Sequence, residues 1–258
     1  GALKSEFKDV LRVFHDPKPL LCMLVMIHVV IPAVACGAGH LFFGSDPYAI
    51  TGMVLEFSVP TAVVGLMWVT IYNGNNPLSL SLVVIDTILS PFLIPVTLRV
   101  LVGSQVEIDA TMMMRQLIFM VALPAIAAMV LNQVTHGAVK NTWPKKLALF
   151  SKFALMFVVT SNSSKVAPYV RHMNLERVAI GAAILVLATG SYALGWGVAR
   201  VLHQDKETTI SMIYGTGMRN ISAGAVIAGA VMYPVMIGTL FQQVLAAFYG
   251  KVLVSKLE

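Results

Sequence analysis

Three charged residues, Glu56, Asp86 and Arg219, lie inside stretches of this sequence that are otherwise apolar. The chain has 258 residues, of which 57% are hydrophobic and only 12% are charged, and its mean hydropathy is +0.81. Because soluble domains average about 25% charged residues, these apolar stretches predict membrane spans. A charge deep in a span is costly and must face protein, water or a bound ion. The three residues therefore suggest the binding of ions within a membrane.

Arg219 lies in the stretch YGTGMRNISAGAVIAG, residues 214–229, near the middle of a predicted span. At 1.5 Å per residue it is roughly 16 Å from either end, too deep for the side chain to reach water easily. We expect Arg219 and the adjacent Asn220 to bind an anionic substrate, while Asp86 or Glu56 carries a coupling proton or cation. A structural ion pair between Arg219 and Asp86 is the alternative interpretation.

Two of the predicted spans contain signals that interrupt a helix. In EFSVPTAVVG, residues 56–65, Pro60 removes a backbone donor in mid-span and clashes with the preceding turn. In GTGMRN, residues 215–220, two glycines and an asparagine stand in the same place. A broken helix leaves backbone groups free, which lipid cannot satisfy but a substrate or ion can.

The two interruptions occupy corresponding places in the two halves of the chain. Each is followed by a proline that opens the next span, Pro77 in one case and Pro234 in the other, an offset of 157 residues. The same offset places Pro60 on Gly217. The positive-inside rule gives the two broken spans opposite directions, so we expect an inverted pair. Such pairs point to a transporter binding site, and we assign Pro60, Thr61 and Gly217 to it.

The chain is predicted to be all-α, a polytopic membrane protein with inverted-repeat transporter architecture. We expect eight spans, at about 19–43, 48–73, 77–103, 113–136, 146–164, 174–200, 207–232 and 234–254. Most Lys and Arg residues then lie on one side, which predicts that both chain ends are cytoplasmic and that the protein resides in the cell membrane. The excess of 18 Lys and Arg over 12 Asp and Glu therefore gives no reason to expect a nucleic-acid partner.

Two other polar positions in the spans bear on the site. His28 stands alone in its apolar run, four residues before Pro32, and we interpret it as a packed, hydrogen-bonded residue rather than a site. Under the 157-residue offset, Asp86 corresponds to Gln243.

The sequence resembles the bile acid:sodium symporter family over its whole length. LKSEFKDVLRVFHDPKPLL (3–21) is similar to the amphipathic segment that precedes the family's third helix. PTAVVGLMWVTIYNGN (60–75) and LSLSLVVIDTILSPFLIP (78–95) resemble the first crossover helix and the helix after it. GTGMRN (215–220) resembles the second crossover motif, which usually reads Glu-x-Gly-Met-Gln-Asn. The chain is identified as a divergent, bacterial-type member.

The resemblance implies ten helices in two inverted repeats, of which this sequence supplies the last eight. Residues 1–18 would be a cytoplasmic amphipathic segment, residues 19–103 and 174–258 the core (transport) domain, and residues 104–173 part of the panel domain. It also implies sodium symport, with substrate bound between core and panel.

The sequence departs from the family at most positions that hold sodium in the family. Gly65 and Leu66 replace a serine and an asparagine after the first break, and Val83 replaces a hydroxyl residue on the next helix. Gly215 and Arg219 replace the glutamate and glutamine of the second motif. Sodium is a hard cation that prefers oxygen ligands, by analogy with calcium and magnesium. The family's two-sodium arrangement is therefore not expected here.

Three positions keep the family's pattern, namely Ser79, Asn220 and Met218, the last through its backbone. We assign Ser79 and Met218, with Asp86 and Glu56, to the coupling ion, which is Na⁺ or H⁺; no other cofactor is expected, and the metal content stays open. Asp86 adds a carboxylate where the family generally has a small hydroxyl residue.

We therefore expect a secondary active transporter of a small organic anion, either a bile acid or a smaller carboxylate. Sodium symport follows from the resemblance, whereas the residues favour coupling altered to protons through Asp86 or Glu56. A channel or receptor-like membrane protein without coupled transport is the alternative. An enzyme is not expected, since no HExxH or GxSxG motif is present. The substrate, the direction of transport and the oligomeric state stay open.

Overall fold

A computed structural model of the chain describes residues 16–103, 109–135, 171–228 and 231–252, with single positions at 138, 153, 157, 160 and 164. The described part is helical, and its long elements are numbered here in chain order. They are α1 (Lys18–Phe43), α2 (Pro47–Ser58), α3 (Val63–Ile71), α4 (Asn76–Leu101), α5 (Ala110–Leu117, continued by Ile118–Ala122 and Leu123–Val134), α6 (Leu175–Val201), α7 (Lys206–Gly217), α8 (Ile221–Ile227) and α9 (Met232–Val252).

Five of these helices are long and apolar enough to cross a membrane by length and composition: α1, α4, α5, α6 and α9. Each coincides, within a few residues, with one of the eight predicted spans. Two further predicted spans, 48–73 and 207–232, are each divided into two shorter helices. The remaining predicted span, 146–164, lies outside the described residues apart from isolated positions.

Polar residues at the connections start the helices by capping their free N–H groups. Asp46 accepts hydrogen bonds from the backbone N–H groups of the first turn of α2, and Asp205 does the same for α7. Asn75 and Asn174 cap α4 and α6 in the same way. These residues satisfy donors that an apolar helix cannot satisfy itself, so short polar turns set where each helix begins.

The first interruption follows from Pro60. The residue before a proline is driven out of the helical region, and Val59 accordingly has φ −64° and ψ 152°, which ends α2. In the second interruption Met218 is also extended, with φ −99° and ψ 129°, and α8 begins three residues later. Both breaks thus lie where the sequence predicts them.

The half-helices that enter the two breaks are buried on all sides. In α2 every residue from 49 to 58 is buried, and in α7 every residue from 208 to 217 is buried. The long helices behave differently, since α1 and α6 each expose large apolar side chains along one face. Buried half-helices surrounded by longer helices with apolar outer faces are the expected arrangement in lipid.

Two apolar clusters lie on either side of the breaks. Val59 and Ile221, which flank the two breaks, belong to a cluster that joins α2, α4, α5, α8 and α9. Ala62 and Met218 belong to a second cluster, formed with α3, α6, α7 and α9. A third cluster fills the space between α1, α2, α4 and α6. The polar groups of the breaks are therefore enclosed by apolar packing.

The packing of α2 against α9 generates a test of the fold. A Cβ at Gly52 would lie 2.6 Å from Pro234 Cγ and 2.9 Å from the Val231 carbonyl oxygen, and neither a proline ring nor a backbone oxygen moves easily. We expect Gly52→Ala to lower the free energy of unfolding by about 1–3 kcal/mol, the usual cost of overpacking. The measurement is thermal unfolding of the purified protein in detergent. Gly37→Ala is the matched control, because a Cβ there has no neighbour within 4 Å; equal losses in both variants would contradict the predicted packing.

Candidate functional site

The two helix breaks pair with each other, at a site that we call the crossing. Thr61 in the first break and Arg219 in the second form an isolated antiparallel bridge. Two backbone hydrogen bonds close it, from Ala62 N to Met218 O (3.1 Å) and from Asn220 N to Pro60 O (2.7 Å). The bonds flank the central pair, which makes it a non-hydrogen-bonded pair in the sense used for β-ladders. The backbone N–H groups of Thr61 and Arg219 are therefore not used by the bridge itself.

Side chains of the long helices α4 and α9 accept hydrogen bonds from these two N–H groups. Thr61 N donates to Asp86 Oδ2 on α4 at 2.6 Å, and Arg219 N donates to Gln242 Oε1 on α9 at 3.0 Å. Each break is thus held by a side chain from the next long helix in the chain. One holder is a carboxylate and the other a neutral amide, so the crossing is electrostatically asymmetric.

The hydroxyl of Thr61 ties the first break to the end of α7. Thr61 Oγ1 donates within reach of two carbonyl oxygens, those of Gly215 at 2.9 Å and Met218 at 3.2 Å. The last turn of a helix has carbonyls with no partner of its own, and the Thr61 hydroxyl supplies a donor to them. Thr61 therefore donates one hydrogen bond from its side chain to the end of α7 and another from its backbone to Asp86.

Asp86 is fully buried, and its carboxylate also binds a histidine. His28 Nε2 lies 2.6 Å from Asp86 Oδ1, and the Ser90 hydroxyl lies 3.4 Å from the same oxygen. The ion pair between Asp86 and Arg219, which the sequence left as an alternative, is not present; His28 takes the partner's place. His28 is packed and hydrogen-bonded, as the sequence analysis favoured, but its partner is one of the candidate site residues.

Arg219 is buried, with 2% of its surface exposed, and its guanidinium forms no hydrogen bond with the part of the chain that the structure describes. Its charge interacts electrostatically with Asp86, Glu56 and Tyr192, without an ion pair to either carboxylate within 4.0 Å. A buried charge without compensation is strongly unfavourable. The carboxyl groups of Asp86 and Glu56 thus lie near its charge, while its donors form no hydrogen bond with the described residues.

Glu56 is buried near the end of α2. One of its carboxylate oxygens, Oε1, lies against Gly238 of α9, at a position that a Cβ would occupy. The other, Oε2, has no hydrogen-bond partner among the described residues. Only a glycine at 238 leaves room for this carboxyl group, so α9 admits a second acidic side chain near Arg219.

The other candidate residues take mostly structural places around the crossing. The carbonyls of Pro60 and Met218 accept the bridge hydrogen bonds, and Asn220 Oδ1 accepts from Ala223 N at the start of α8. Gly217 is buried beside the ring of Tyr192. These four residues shape the crossing and present few free polar atoms.

Ser79, in contrast, is 4% exposed and its hydroxyl has no hydrogen-bond partner in the described part of the chain. It lies on α4, two turns before Asp86. Its oxygen is thus free to accept or donate.

Three residues near the crossing were not among the predicted site residues. His28 had a usable signal, a lone imidazole one turn before a proline in an apolar run. Gln242 is adjacent to Gln243, the position that the 157-residue offset pairs with Asp86. Tyr192, whose hydroxyl donates to the Gln242 carbonyl at 3.2 Å, had no signal in the sequence.

The fold and the crossing define a polytopic helical membrane protein whose buried charges lie between interrupted helices. The family described as the Sodium Bile acid symporter family matches residues 2–173. The chain belongs to this family, whose members are transporters and not enzymes. The resemblance seen in the sequence is thereby confirmed.

Two relatives illustrate the range of similarity. The chain is 38% identical over 258 residues to "Uncharacterized protein YbaS" of Bacillus subtilis (strain 168), covering 98% of this chain and 84% of that protein. It is 22% identical over 225 residues to "Probable sodium/metabolite cotransporter BASS1, chloroplastic" of Arabidopsis thaliana, covering 85% of this chain and 54% of that protein.

The Thr61 hydroxyl provides a test of the crossing. Thr61→Val keeps the shape of the side chain but leaves the buried Gly215 carbonyl without this donor. We expect a loss of about 1–3 kcal/mol in the free energy of unfolding, the cost of an unsatisfied buried polar group. Thermal unfolding in detergent measures it. Thr70→Val is the matched control, since the exposed Thr70 hydroxyl donates only within its own helix and to Asn76; a similar loss there would count against a special role for the crossing.

Proposed function

We propose that this protein is a secondary active transporter that carries a small organic anion, a bile acid or a smaller carboxylate, across the cell membrane. The single observation that carries the proposal is the guanidinium of Arg219, buried at the crossing of two helix breaks with none of its nitrogens hydrogen-bonded in the described part of the chain. Its fixed position beside the bridge makes it a suitable anchor for an anionic group.

Guanidinium chemistry favours a carboxylate as the ligand. Arginine presents donors in a planar fork that matches a carboxylate with two parallel hydrogen bonds. A guanidinium already bonded to Asp86 or Glu56 would have to break those bonds to accept substrate. In Arg219 the compensating carboxylates lie beyond 4.0 Å, so an incoming anion gains charge-assisted hydrogen bonds without losing existing ones.

Polar side chains near the crossing suggest a side from which the anion approaches. Asn220 is half-buried next to Arg219, and Ser222 in the first turn of α8 is exposed. On α9, Thr239 and Gln243 are exposed and lie one turn apart, with the half-buried Gln242 beside them. Exposed amides and hydroxyls are unusual on a surface that would otherwise face lipid, which favours contact with solute or with water.

An inverted repeat accounts for the matched contacts of the two breaks. Arg219 follows Thr61 by 158 positions, and Gln242 follows Asp86 by 156, so the structural equivalents straddle the 157-residue offset of the two prolines. Transporters with such repeats bind substrate where the breaks meet. We propose the same arrangement here, with both chain ends cytoplasmic and with residues 19–103 and 174–258 as the moving core.

Sodium is the coupling ion that the family's description suggests, and the Arabidopsis relative carries sodium in its printed name. Against it stand Gly65, Leu66 and Val83, which have no side-chain oxygen. At Gly215, Leu82 and Met23 lie so close that a Cβ would be 2.7 Å and 2.9 Å from their side chains. A fixed cation, Arg219, repels a mobile one. We therefore propose that coupling has passed from sodium to protons, through Asp86 or Glu56.

Arg219→Gln tests the role of the guanidinium. After thermal-shift screening of taurocholate, pyruvate, lactate and succinate, isothermal titration of the best probe gives its affinity. We expect the variant to bind about 10- to 100-fold more weakly, because a charge-assisted hydrogen bond contributes about 1.5–3 kcal/mol. Arg200→Gln is the control, since Arg200 lies over the ring of Trp196 near the end of α6. Unchanged affinity in Arg219→Gln would remove the proposed substrate role.

Sodium replacement tests the coupling. In proteoliposomes we expect uptake of the same probe to proceed at an equal rate when choline replaces sodium, because Gly65, Leu66 and Val83 have no side-chain oxygen to bind sodium. Radiolabelled uptake at constant ionic strength and pH measures it. A steep sodium dependence that Asp86→Asn abolishes would instead make Asp86 a sodium ligand.

A further inference from the structure

The pair of His28 and Asp86 has a geometry that goes beyond packing. Both side chains are buried, and the 2.6 Å separation of Nε2 and Oδ1 requires a hydrogen between them. An ionised carboxylate only accepts hydrogen bonds, so Nε2 carries that hydrogen. In the neutral imidazole the other nitrogen, Nδ1, is then a bare acceptor, and it has no partner among the described residues. Nδ1 is thus a position that can take up one proton.

The backbone of α1 is adapted to present His28. The segment Met26–Val30 is a π-helical turn, closed by a hydrogen bond from Ile31 N to Met26 O. Pro32 has no N–H to give to the His28 carbonyl, and the Thr97 hydroxyl of α4 approaches that carbonyl at 3.4 Å instead. Single π-turns within α-helices are frequent at functional sites. Backbone and side chain of His28 are therefore both tied to α4.

The charged groups around the pair come from several elements. Asp86 is on α4, Glu56 on α2, and Arg219 in the second break; Tyr192 of α6 also interacts with Arg219. Arg219 supplies one positive charge near the two carboxyl groups. A proton at His28 Nδ1 adds a second positive charge directly beside Asp86. The cluster thus holds acidic groups from two helices, and Nδ1 offers a place for a compensating proton.

We propose that His28 and Asp86 together form a binding site for one proton, and that this proton is the coupling ion of the transporter. The inference rests on the proposed function, in which Arg219 binds the anion. An anion entering the proton-loaded cluster meets one more positive charge than an anion entering the unloaded cluster. Proton and anion therefore strengthen each other's binding, by linkage in both directions.

The same contact carries the proton's effect to the crossing. The proton is added to Nδ1, which turns the pair into an imidazolium bound to a carboxylate, and no covalent bond other than N–H forms. Asp86 Oδ2 holds the backbone N–H of Thr61, the partner of Arg219 in the bridge. A change in the charge next to Oδ1 therefore changes the strength of the hydrogen bond that Thr61 N donates to Oδ2. His28 thus acts on the crossing through Asp86.

The test is anion affinity against pH in the full chain, with the probe chosen by thermal shift. We expect the wild type to bind the anion about 5- to 150-fold more weakly at alkaline than at acidic pH, because the proton that strengthens anion binding is then lost. His28→Gln can still donate to Asp86 but cannot carry the proton, so its affinity should be independent of pH. Asp86→Asn is a second variant for the case that His28→Gln does not fold. His40→Gln, an exposed histidine on α1, is the control and should keep the wild-type profile.

A direct measurement is proton uptake on anion binding in weakly buffered solution, followed with an indicator dye. Over the pH range in which the wild-type affinity for the anion falls, the wild type should take up as much as about one proton per anion, and His28→Gln none. Anion binding with unchanged proton uptake in His28→Gln and Asp86→Asn overturns the inference and leaves the proposed function standing. Loss of uptake only in Glu56→Gln also overturns it, since Glu56 would then be the carrier. Absence of anion binding in the wild type contradicts the proposed function itself.

Discussion

The bridge between Thr61 and Arg219 is the contact on which the arrangement of the charged residues depends. A helix interrupted inside an apolar region leaves donors and acceptors that lipid cannot satisfy. Here each interruption supplies some of the hydrogen-bond partners that the other one needs. Because the central pair is of the non-hydrogen-bonded type, the backbone N–H groups of Thr61 and Arg219 remain available. They donate to side chains of α4 and α9. Those partners, Asp86 and Gln242, determine how α4 and α9 approach the crossing.

The two sides of the crossing are alike in geometry and different in charge. Asp86 brings a negative charge to the first break, whereas neutral Gln242 holds the second, which carries Arg219 itself. The positive and negative groups are thus close enough to compensate each other, yet each keeps its own hydrogen-bond environment. Asp86 is occupied by His28 and Thr61, while the Arg219 guanidinium forms no hydrogen bond with the described residues. The proposed transport site needs this combination, because a transported ligand must bind and then be released.

Several features of the fold could be predicted from the sequence because they depend on local chemistry. Pro60 excludes a continuous helix by sterics and by its missing donor, and the glycines around Met218 weaken the second helix in the same region. Apolar runs bounded by Asp46, Asn75 and Asn174 predict where helices start, since these residues cap them. The apolar composition and the spacing of the breaks indicated a membrane transporter. The resemblance of the segments 60–75, 78–95 and 215–220 indicated this family, which the comparisons with known proteins confirm.

The partner of each buried charge could not be predicted in this way. The sequence identified Glu56, Asp86 and Arg219 as buried charges, and an ion pair between Asp86 and Arg219 was the alternative interpretation. In the three-dimensional structure His28, 58 positions away on a π-helical turn, takes the carboxylate instead. A π-helical turn contains one residue more than an α-helical turn, which rotates the side chains that follow it. The types of the residues in the sequence do not indicate this rotation.

The sequence by itself therefore determined which residues are buried against their chemical preference and where the helices break. These properties follow from hydropathy, backbone sterics and capping, which act over a few neighbouring residues. The tertiary structure alone decided that the breaks pair through Thr61 and Arg219, that His28 holds Asp86, and that the Arg219 guanidinium forms no hydrogen bond within the described part of the chain. These outcomes depend on distances of a few ångströms between helices far apart in the chain, where hydrogen-bond geometry distinguishes arrangements that composition and spacing leave equivalent.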